Sequence, residues 1–447
     1  MKKPISPFRI TQFQLMREAL NLQAAIKESN RCLLCHDAPC SKACPAGTDP
    51  AKFIRQLKFY NYKGAARTIR NNNVLGSVCA HICPVENLCE KECSICALED
   101  PIDIGGLQQF ASEYGKLHKL EPFAISQKSS GKIAVIGAGP AGLSCAATLA
   151  NLDYDVTVFE RDEHAGGVPR WNIPDYRLPI EALEYDIQNL LSRGVSISYN
   201  SPVDSPEAIR KLQEQGFEAI FISTGLTEAF SLDLLNGFDN AVDYISFLKQ
   251  TKTDRQSLQL ANKNVAVIGG GSVAIDSAIS AKACGAEKVY LISLEHLGEL
   301  PACAEEINLA HLMHIVLKPG CQITGLTTEG SHITQLSGVE TKWKQPGVFK
   351  PENVMHIKGT EFSLNVDLVV LAIGTRPGAE VALFSDKLLK TGKGVITVNE
   401  FFETSIEGVF AGGDVVNGGG SVVQAVGDGK KAAAQIDNFI KNRRNTQ

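Results

Sequence analysis

Twice along this chain a short apolar run breaks into glycines and resumes as an alanine-rich helical pattern; no other feature restricts the fold as strongly. The first copy is Gly131–Gly142, GKIAVIGAGPAG, and the second starts as Asn264–Gly271, NVAVIGGG, continuing SVAIDSAISAKACGAEKVYLISLE. In the first, Ile133–Ile136 reads as a fully buried parallel strand and AGLSCAATLA as the helix that the glycines open. Gly137 allows the tight turn, Gly139 lets a pyrophosphate approach the backbone, and Gly142 lets helix and strand pack closely. The helix N-terminus then offers free N–H groups and a partial positive charge to the phosphates. The next strand, Asp155–Phe159, runs into Glu160, 23 residues after Gly137, where a ribose-binding acid belongs. In the second copy, Gly269-x-Gly271-x-x-Ala274 is the fingerprint variant with alanine in third place.

The later apolar runs keep the alternation of strand and helix. Gly216–Gly225, with AIFIST at its core, reads as a buried strand ending in a loop, and Asp367–Gly374 (DLVVLAIG) as another running into a glycine. The last motif is Gly408–Asp414, GVFAGGD, followed by a Gly-rich loop and a helix from about Gln424. The expected class is α/β, with two Rossmann-like dinucleotide-binding domains, the second inserted in the first. The expected boundaries are 128–227 and 375–447 for the first and 228–374 for the second. The polar stretch Ser126–Gly131 (SQKSSG) is the best linker, closing a first domain over 1–127.

That first domain holds nine of the 13 cysteines within 65 residues: Cys32, Cys35, Cys40, Cys44, Cys79, Cys83, Cys89, Cys93 and Cys96. The other four, Cys145, Cys284, Cys303 and Cys321, stand singly and read as buried small hydrophobes. Compartment decides how to read the nine. The chain has 447 residues, a formal charge of −5 and no long basic block, which argues against a nucleic-acid partner. No apolar run approaches the ~20 residues of a membrane span, and no apolar h-region follows the two N-terminal lysines. A cytoplasmic protein with no membrane partner is expected, with its thiols reduced.

Cys32-x2-Cys35-x4-Cys40-x3-Cys44-Pro45 is close to the bacterial ferredoxin run, whose fourth cysteine serves the other cluster of a pair. The second group supplies the remaining thiolates. Structural zinc favours well-separated Cys-x2-Cys pairs, which this staggered run is not. The expectation is an α-helical domain with two 4Fe–4S clusters. Its helices read from Leu15, Ala19, Leu22 and Ile26 at helical spacing, and from Asp49-Pro50 as a cap followed by proline. Others are expected over about 50–60 and 62–72, and within Pro101–Leu120, where Leu107, Phe110, Ala111 and Tyr114 share one face. Too few apolar residues surround the cysteines for packing alone to order them.

CLLCHDAPCSKACPAGTDP, VCAHICPVENLCEKEC and PIDIGGLQQFASEYGK resemble the N-terminal part of dihydropyrimidine dehydrogenase. The chain resembles more closely still the separate bacterial NAD-dependent flavoprotein subunit of that enzyme, over nearly all of its length. The glutamate synthase small subunit is similar in overall plan, but the stretch after its cysteines differs from this IGGLQQF. The resemblance implies Cys32, Cys35, Cys40 and Cys93 on one cluster. It implies Cys44, Cys83, Cys89 and the side-chain amide of Gln109 on the other. Cys79 is then a bystander and Cys96 lies outside the pattern, whereas counting alone makes every ligand a cysteine. The GVFAGGD motif of two-dinucleotide flavoproteins is implied to place Asp414, behind Gly413, on the flavin ribityl chain. Gly167 (in EHAGG) and Arg177 (in PDYRLP) are implied neighbours of FAD.

The second domain is then left for the nicotinamide, with Gly269, Gly271 and Ala274 at its phosphates. Its strand Lys288–Ile292 runs into Ser293-Leu294-Glu295. Relatives that use NADP carry a basic pair where this chain has Leu294 and Glu295. A 2′-phosphate needs a cation, whereas a free 2′-hydroxyl can donate to a carboxylate, so Glu295 argues NAD. No Cys-x2-Cys pair follows Gly131, so electrons leave the flavin through the clusters and not through a disulfide. The implied activity is an NAD-dependent oxidoreductase that moves hydride between NADH and FAD, then single electrons to a partner. That partner is an FMN-containing barrel subunit that interconverts uracil or thymine and 5,6-dihydropyrimidines. It would be a separate subunit, because this chain reaches Gln447 without a barrel. The alternative is a glutamate synthase small subunit feeding a glutamate-forming large subunit. No acid–base residue is singled out, and Glu306, which resembles a recurring family glutamate after LPACAE, is left without a role.

Overall fold

The computed structural model describes residues 19–120, 130–205, 207–385 and 387–446. Leu15 of the first expected helix and residues 126–129 of the expected linker, with the 127/128 boundary, lie outside them. Two units emerge. The larger holds 17–170, 177–227 and 376–447; the smaller holds 228–375 together with 171–176.

The cysteine lobe of the larger unit opens with α1 (Leu22–Arg31), which starts later than the Leu15–Ile26 pattern suggests. The reason is a cap: the Asn21 side chain accepts the Ala24 N–H at 2.9 Å, leaving Ala19 before the helix. Next come α2 (Pro39–Lys42), α3 (Pro50–Lys58), α4 (Tyr62–Asn72), α5 (Gly76–Ile82) and α6 (Ile104–Leu117). Asp49 caps α3 by accepting the Lys52 N–H at 3.2 Å, and Pro50 loses nothing in the first turn. Apolar faces of α1, α3, α4 and α6 bury Ala25, Phe53, Leu57, Ile69 and Leu107 in one core, with Cys32, Cys40, Cys83 and Cys93 against its border. This core is larger than the sequence suggests, because its members come from four separate helices and, singly, from the segments around the second cysteine group, as Val85, Ile95 and Ile102 do.

The first nucleotide-type domain follows as β1 (Lys132–Ile136), α7 (Pro140–Ala150), β2 (Asp155–Phe159), α8 (Ile180–Leu191), β3 (Ser196–Ser198) and β4 (Phe217–Ile222). All its pairings are parallel. Ile133, Ala134 and Val135 are fully buried, as in a strand covered on both faces.

The smaller unit repeats the plan. It runs β5 (Ala241–Asp243), α9 (Tyr244–Thr253), β6 (Asn264–Ile268), α10 (Ser272–Ala283), β7 (Lys288–Ile292), α11 (Ala304–Leu312) and β8 (Val316–Lys318). An antiparallel excursion, β9 (Cys321–Glu329), β10 (His332–Trp343), β11 (Val354–His356) and β12 (Phe362–Asn365), precedes β13 (Leu368–Leu371). The parallel sheet has the order β5–β13–β6–β7–β8. Residues 171–176 are fastened to this unit although their sequence neighbours are not. Asn172 Nδ2 donates to the Ile245 carbonyl at 3.1 Å, Lys252 Nζ donates to the Ile173 carbonyl at 2.7 Å, and Lys252 pairs with Asp175 at 3.3 Å.

The chain re-enters the larger unit, and β14 (Val409–Ala411) completes its sheet in the order β14–β4–β1–β2–β3. Then come α12 (Asp414–Asn417) and the long α13 (Val422–Thr446). The last lies along α7: Ser144 Oγ donates to the Val426 carbonyl at 2.8 Å.

Candidate functional site

The cysteines sit where elements end. Cys32 closes α1, Cys40 lies in α2 with Cys44 just beyond it, Cys83 closes α5 and Cys93 opens the turn Ser94–Ala97. Their thiols fall into two neighbourhoods. Burial, with Cys93, Cys32 and Cys35 close by, pushes the Cys40 thiol up to about 11; Cys32 is raised by burial and by Cys93 and Cys35. Cys44 stands instead beside Cys79 and Cys89, where burial pushes Cys79 up to about 12 and also raises Cys89. Cys40 acts on Cys89 as well, so the neighbourhoods adjoin. The Cys44 sulfur accepts the Thr48 N–H at 3.4 Å, and its thiol donates to the Thr48 hydroxyl at 3.3 Å. Among the described residues no three His, Cys, Asp or Glu side chains close in on a single ion.

Gln109 lies buried on α6, and its Oε1 has no hydrogen-bond partner. The adjacent Gln108 donates to the Gly76 carbonyl at 2.8 Å and so ties α6 to α5. A buried amide oxygen left open costs about 1–3 kcal/mol, a cost that metal ligation removes. Cys79, by contrast, already takes a hydrogen bond from the Asn73 side chain. Cys96 is exposed and donates to the Glu90 carbonyl at 3.4 Å.

At the first glycine loop, Gly137 has φ +96°, and a Cβ there would stand 2.7 Å from the Ser223 carbonyl oxygen; one at Gly142 would stand 2.0 Å from that of Gly137. A Cβ at Gly139 would meet nothing, so this glycine leaves room for a ligand and the other two close the turn. Glu160 is buried and folds back onto the loop, accepting the Ala138 N–H at 2.8 Å and the Asp162 N–H at 2.9 Å. Gly167 (φ +55°) abuts Gly139, whose Cα would lie 3.1 Å from its Cβ. Gly413 (φ +75°) abuts Ala141 at 2.8 Å by the same construction. Burial raises the Asp414 carboxyl to about 6 against a hydrogen bond from the Gly420 backbone, and its Oδ1 has no partner. Arg177 is partly buried at the point where the chain re-enters this unit. Thr224 escaped the sequence patterns: its buried hydroxyl has no partner, and its Cα would lie 3.3 Å from a Cβ at Gly137. A second hydroxyl after a buried strand, directly before Gly225, is the signal that marks it.

In the smaller unit, Gly269 (φ +142°) is pressed on the Ala372 carbonyl, 2.1 Å from where its Cβ would stand, and Ala274 is fully buried behind it. Gly271 opens to free space at the head of α10. The structure brings Glu295 to this loop: its Oε2 lies 3.0 Å from the position of a Cβ on Gly270. The Glu295 carbonyl accepts the Ser293 hydroxyl at 2.9 Å and the Gly320 N–H at 2.8 Å, which fixes the turn. Glu306 is a helix cap, its Oε2 accepting the Cys303 N–H at 3.1 Å at the start of α11.

Residues 131–429 match the family model described as pyridine nucleotide-disulphide oxidoreductase, and residues 9–120 the one described as dihydropyrimidine dehydrogenase domain II, 4Fe-4S cluster. The NAD-dependent dihydropyrimidine dehydrogenase subunit PreT of Escherichia coli K12 is 38% identical over 420 residues, 93% of this chain and 94% of its own. This chain belongs to the family of NAD-dependent dihydropyrimidine dehydrogenase subunits.

As a member of that family it is an NAD-dependent oxidoreductase. The beta subunit of the NADP(+)-dependent formate dehydrogenase of Moorella thermoacetica is 34% identical over 90% of this chain and 60% of its own. Among solved structures, T. acidophilum thioredoxin reductase aligns with a TM-score of 0.53 at 21% identity, over 68% of this chain and 97% of its own, a likeness of fold alone. The cofactors of the dihydropyrimidine dehydrogenase subunits are FAD, NAD and 4Fe–4S clusters. The open oxygens of Gln109 and Asp414 and the clearances at Gly139 and Gly271 fit those groups. Among the described residues no helix is long and apolar enough to cross a membrane.

Proposed function

We propose that the chain is the electron-input subunit of a cytoplasmic NAD-dependent dihydropyrimidine dehydrogenase. The observation that carries the reading is that the Cys44 turn and the first glycine loop meet the same helix. On α13, a Cβ at Gly427 would stand 2.6 Å from the Pro45 carbonyl oxygen, and one at Gly429 would stand 2.2 Å from that of Ala141. Bound flavin exchanges a hydride, two electrons, with the nicotinamide, and iron–sulfur clusters relay electrons singly.

The chain's residues bind and orient. Gly137, Gly139 and Gly142 seat the FAD pyrophosphate, and the Glu160 carboxylate accepts from the adenosine ribose. Asp414 Oδ1 accepts a ribityl hydroxyl, while Gly167 and Arg177 flank the flavin. Gly269, Gly271 and Ala274 seat the NAD pyrophosphate, and Glu295 accepts its 2′-hydroxyl. Cys32, Cys35, Cys40 and Cys93 hold one cluster; Cys44, Cys83, Cys89 and Gln109 hold the other.

The partner of this subunit is an FMN-containing barrel that reduces the C5–C6 double bond of uracil or thymine. One NADH and one proton balance one dihydropyrimidine. The test is anaerobic: purify the tagged chain with its bound partner and follow NADH oxidation with uracil or thymine added. Pyrimidine-dependent oxidation, absent from the chain alone, is expected. Flavin reduction by NADH with no effect of either pyrimidine, or no FMN-bearing partner in a native purification, overturns the substrate. Stimulation by glutamine and 2-oxoglutarate would assign the module to glutamate synthesis instead.

A further inference from the structure

Lys430 stands on the early turns of α13, and its ammonium is taken up by two backbone carbonyls of the cysteine lobe, Ala46 at 2.6 Å and Asn72 at 2.7 Å. Ala46 lies two residues beyond Cys44. Gly427, three residues earlier and therefore on the same face of the helix, admits the Pro45 carbonyl so closely that no side chain fits. Gly429 does the same for α7 on another face. Glycine is a poor helix former, so two of them in one turn mark a contact that needs the space. The Cys44 carbonyl accepts the Gly47 N–H at 3.0 Å, so the ammonium is held on the turn that Cys44 opens.

We propose that Lys430 is the positioning residue of the Cys44 cluster. It clamps the Cys44–Gly47 turn onto α13, and its positive charge raises the reduction potential of that cluster. The inference rests on Cys44 being a cluster ligand, as in the proposed function. With both groups bound, the step it assists would be the transfer of one electron from the reduced flavin to the oxidised cluster, with no bond formed or broken. The gained electron adds one negative charge to the cluster. A fixed cation in a partly desolvated contact stabilises that reduced form more than the oxidised one. The Thr48 N–H on the Cys44 sulfur acts in the same sense.

The test uses the anaerobically prepared full-length holoprotein, with flavin and iron content measured and both clusters titrated by EPR. Cys44→Ser identifies the signal that belongs to the Cys44 cluster. Lys430→Met is expected to keep FAD and to make reduction of that cluster about tenfold less favourable, which is about 59 mV for a one-electron couple. The other signal stays in place, and Lys430→Arg returns the shifted potential towards that of the parent. Should Lys430→Met fail to hold its clusters, Lys430→Gln, with a polar tip and no charge, carries the same expectation. Unmoved potentials in the neutral variants overturn the proposal, as does an equal shift in Lys430→Arg. If Cys44→Ser leaves both EPR signals intact, the ligand assignment itself falls, an outcome read independently of any Lys430 variant.

Discussion

The Tyr176 hydroxyl donates to the Asp276 carboxylate at 2.6 Å, and both side chains are buried. With the contacts of Asn172 and Lys252, this bond holds a six-residue segment, 171–176, to the smaller unit, while residues 170 and 177 on either side belong to the larger one. Among the described residues the chain therefore passes between its units at four places, at 170/171, 176/177, 227/228 and 375/376. Replacing Tyr176 by Phe withdraws a donor from a buried carboxylate at nearly constant shape. A loss of about 1–3 kcal/mol of stability is expected. Urea denaturation of parent and Tyr176→Phe proteins checks it; coincident curves contradict it.

Asp186 on α8 is fully buried and accepts the Val78 N–H at 3.0 Å at the start of α5. Burial outweighs the hydrogen bonds from Val78 and Ser77 and raises its carboxyl to about 8. The unfolded carboxyl titrates near 3.9, so between about pH 4 and pH 8 the folded chain keeps a proton that the unfolded chain has released. Its contribution is fully present below the unfolded value and is lost as pH rises through about 8. Asp186→Asn carries no such proton. Relative to the parent it should gain stability with rising pH, on the order of 1 kcal/mol per unit across that window. A stability difference that stays constant with pH argues against the buried, protonated acid.

Glu295 faces the second glycine loop, where a carboxylate suits a free ribose hydroxyl and repels a 2′-phosphate. In Glu295→Arg the ratio of kcat/KM for NADPH to that for NADH should rise at least about tenfold, equivalent to about 1.4 kcal/mol. Steady-state assays with both cofactors and an artificial acceptor decide it. An unchanged ratio removes Glu295 from the ribose.

The proposed function makes Gln109 the last ligand of the Cys44 cluster, with Cys79 as its rival. Gln109→Ala should lose or alter one EPR signal, while Cys79→Ser keeps both with full iron content. The reverse pattern makes Cys79 the ligand and Gln109 a buried helix residue.

Much of the fold was legible in local chemistry. The buried run Ile133–Ile136, the glycines behind it and the Asp49-Pro50 cap each act through near neighbours in the chain, and each forms as the sequence indicates. The late start of α1 was missed because a single Asn21 cap outranks an apolar repeat that runs back to Ala19. The sorting of Cys93 with Cys32, Cys35 and Cys40 was reached only by family likeness, because spacing carries no information about which loop folds back onto which.

By itself the sequence determined what depends on period and spacing: two dinucleotide units, a cysteine lobe ahead of them, and an acid after the second strand of each unit. Only the tertiary structure decided what depends on chain return. Lys430 meets Ala46 across 384 positions, Tyr176 leaves its neighbours to join Asp276, and Gln109 is buried with its amide oxygen open. The physical reason is that hydrogen bonding and desolvation act over a few ångströms whatever the separation along the chain. No local pattern records which distant groups packing will bring within that range.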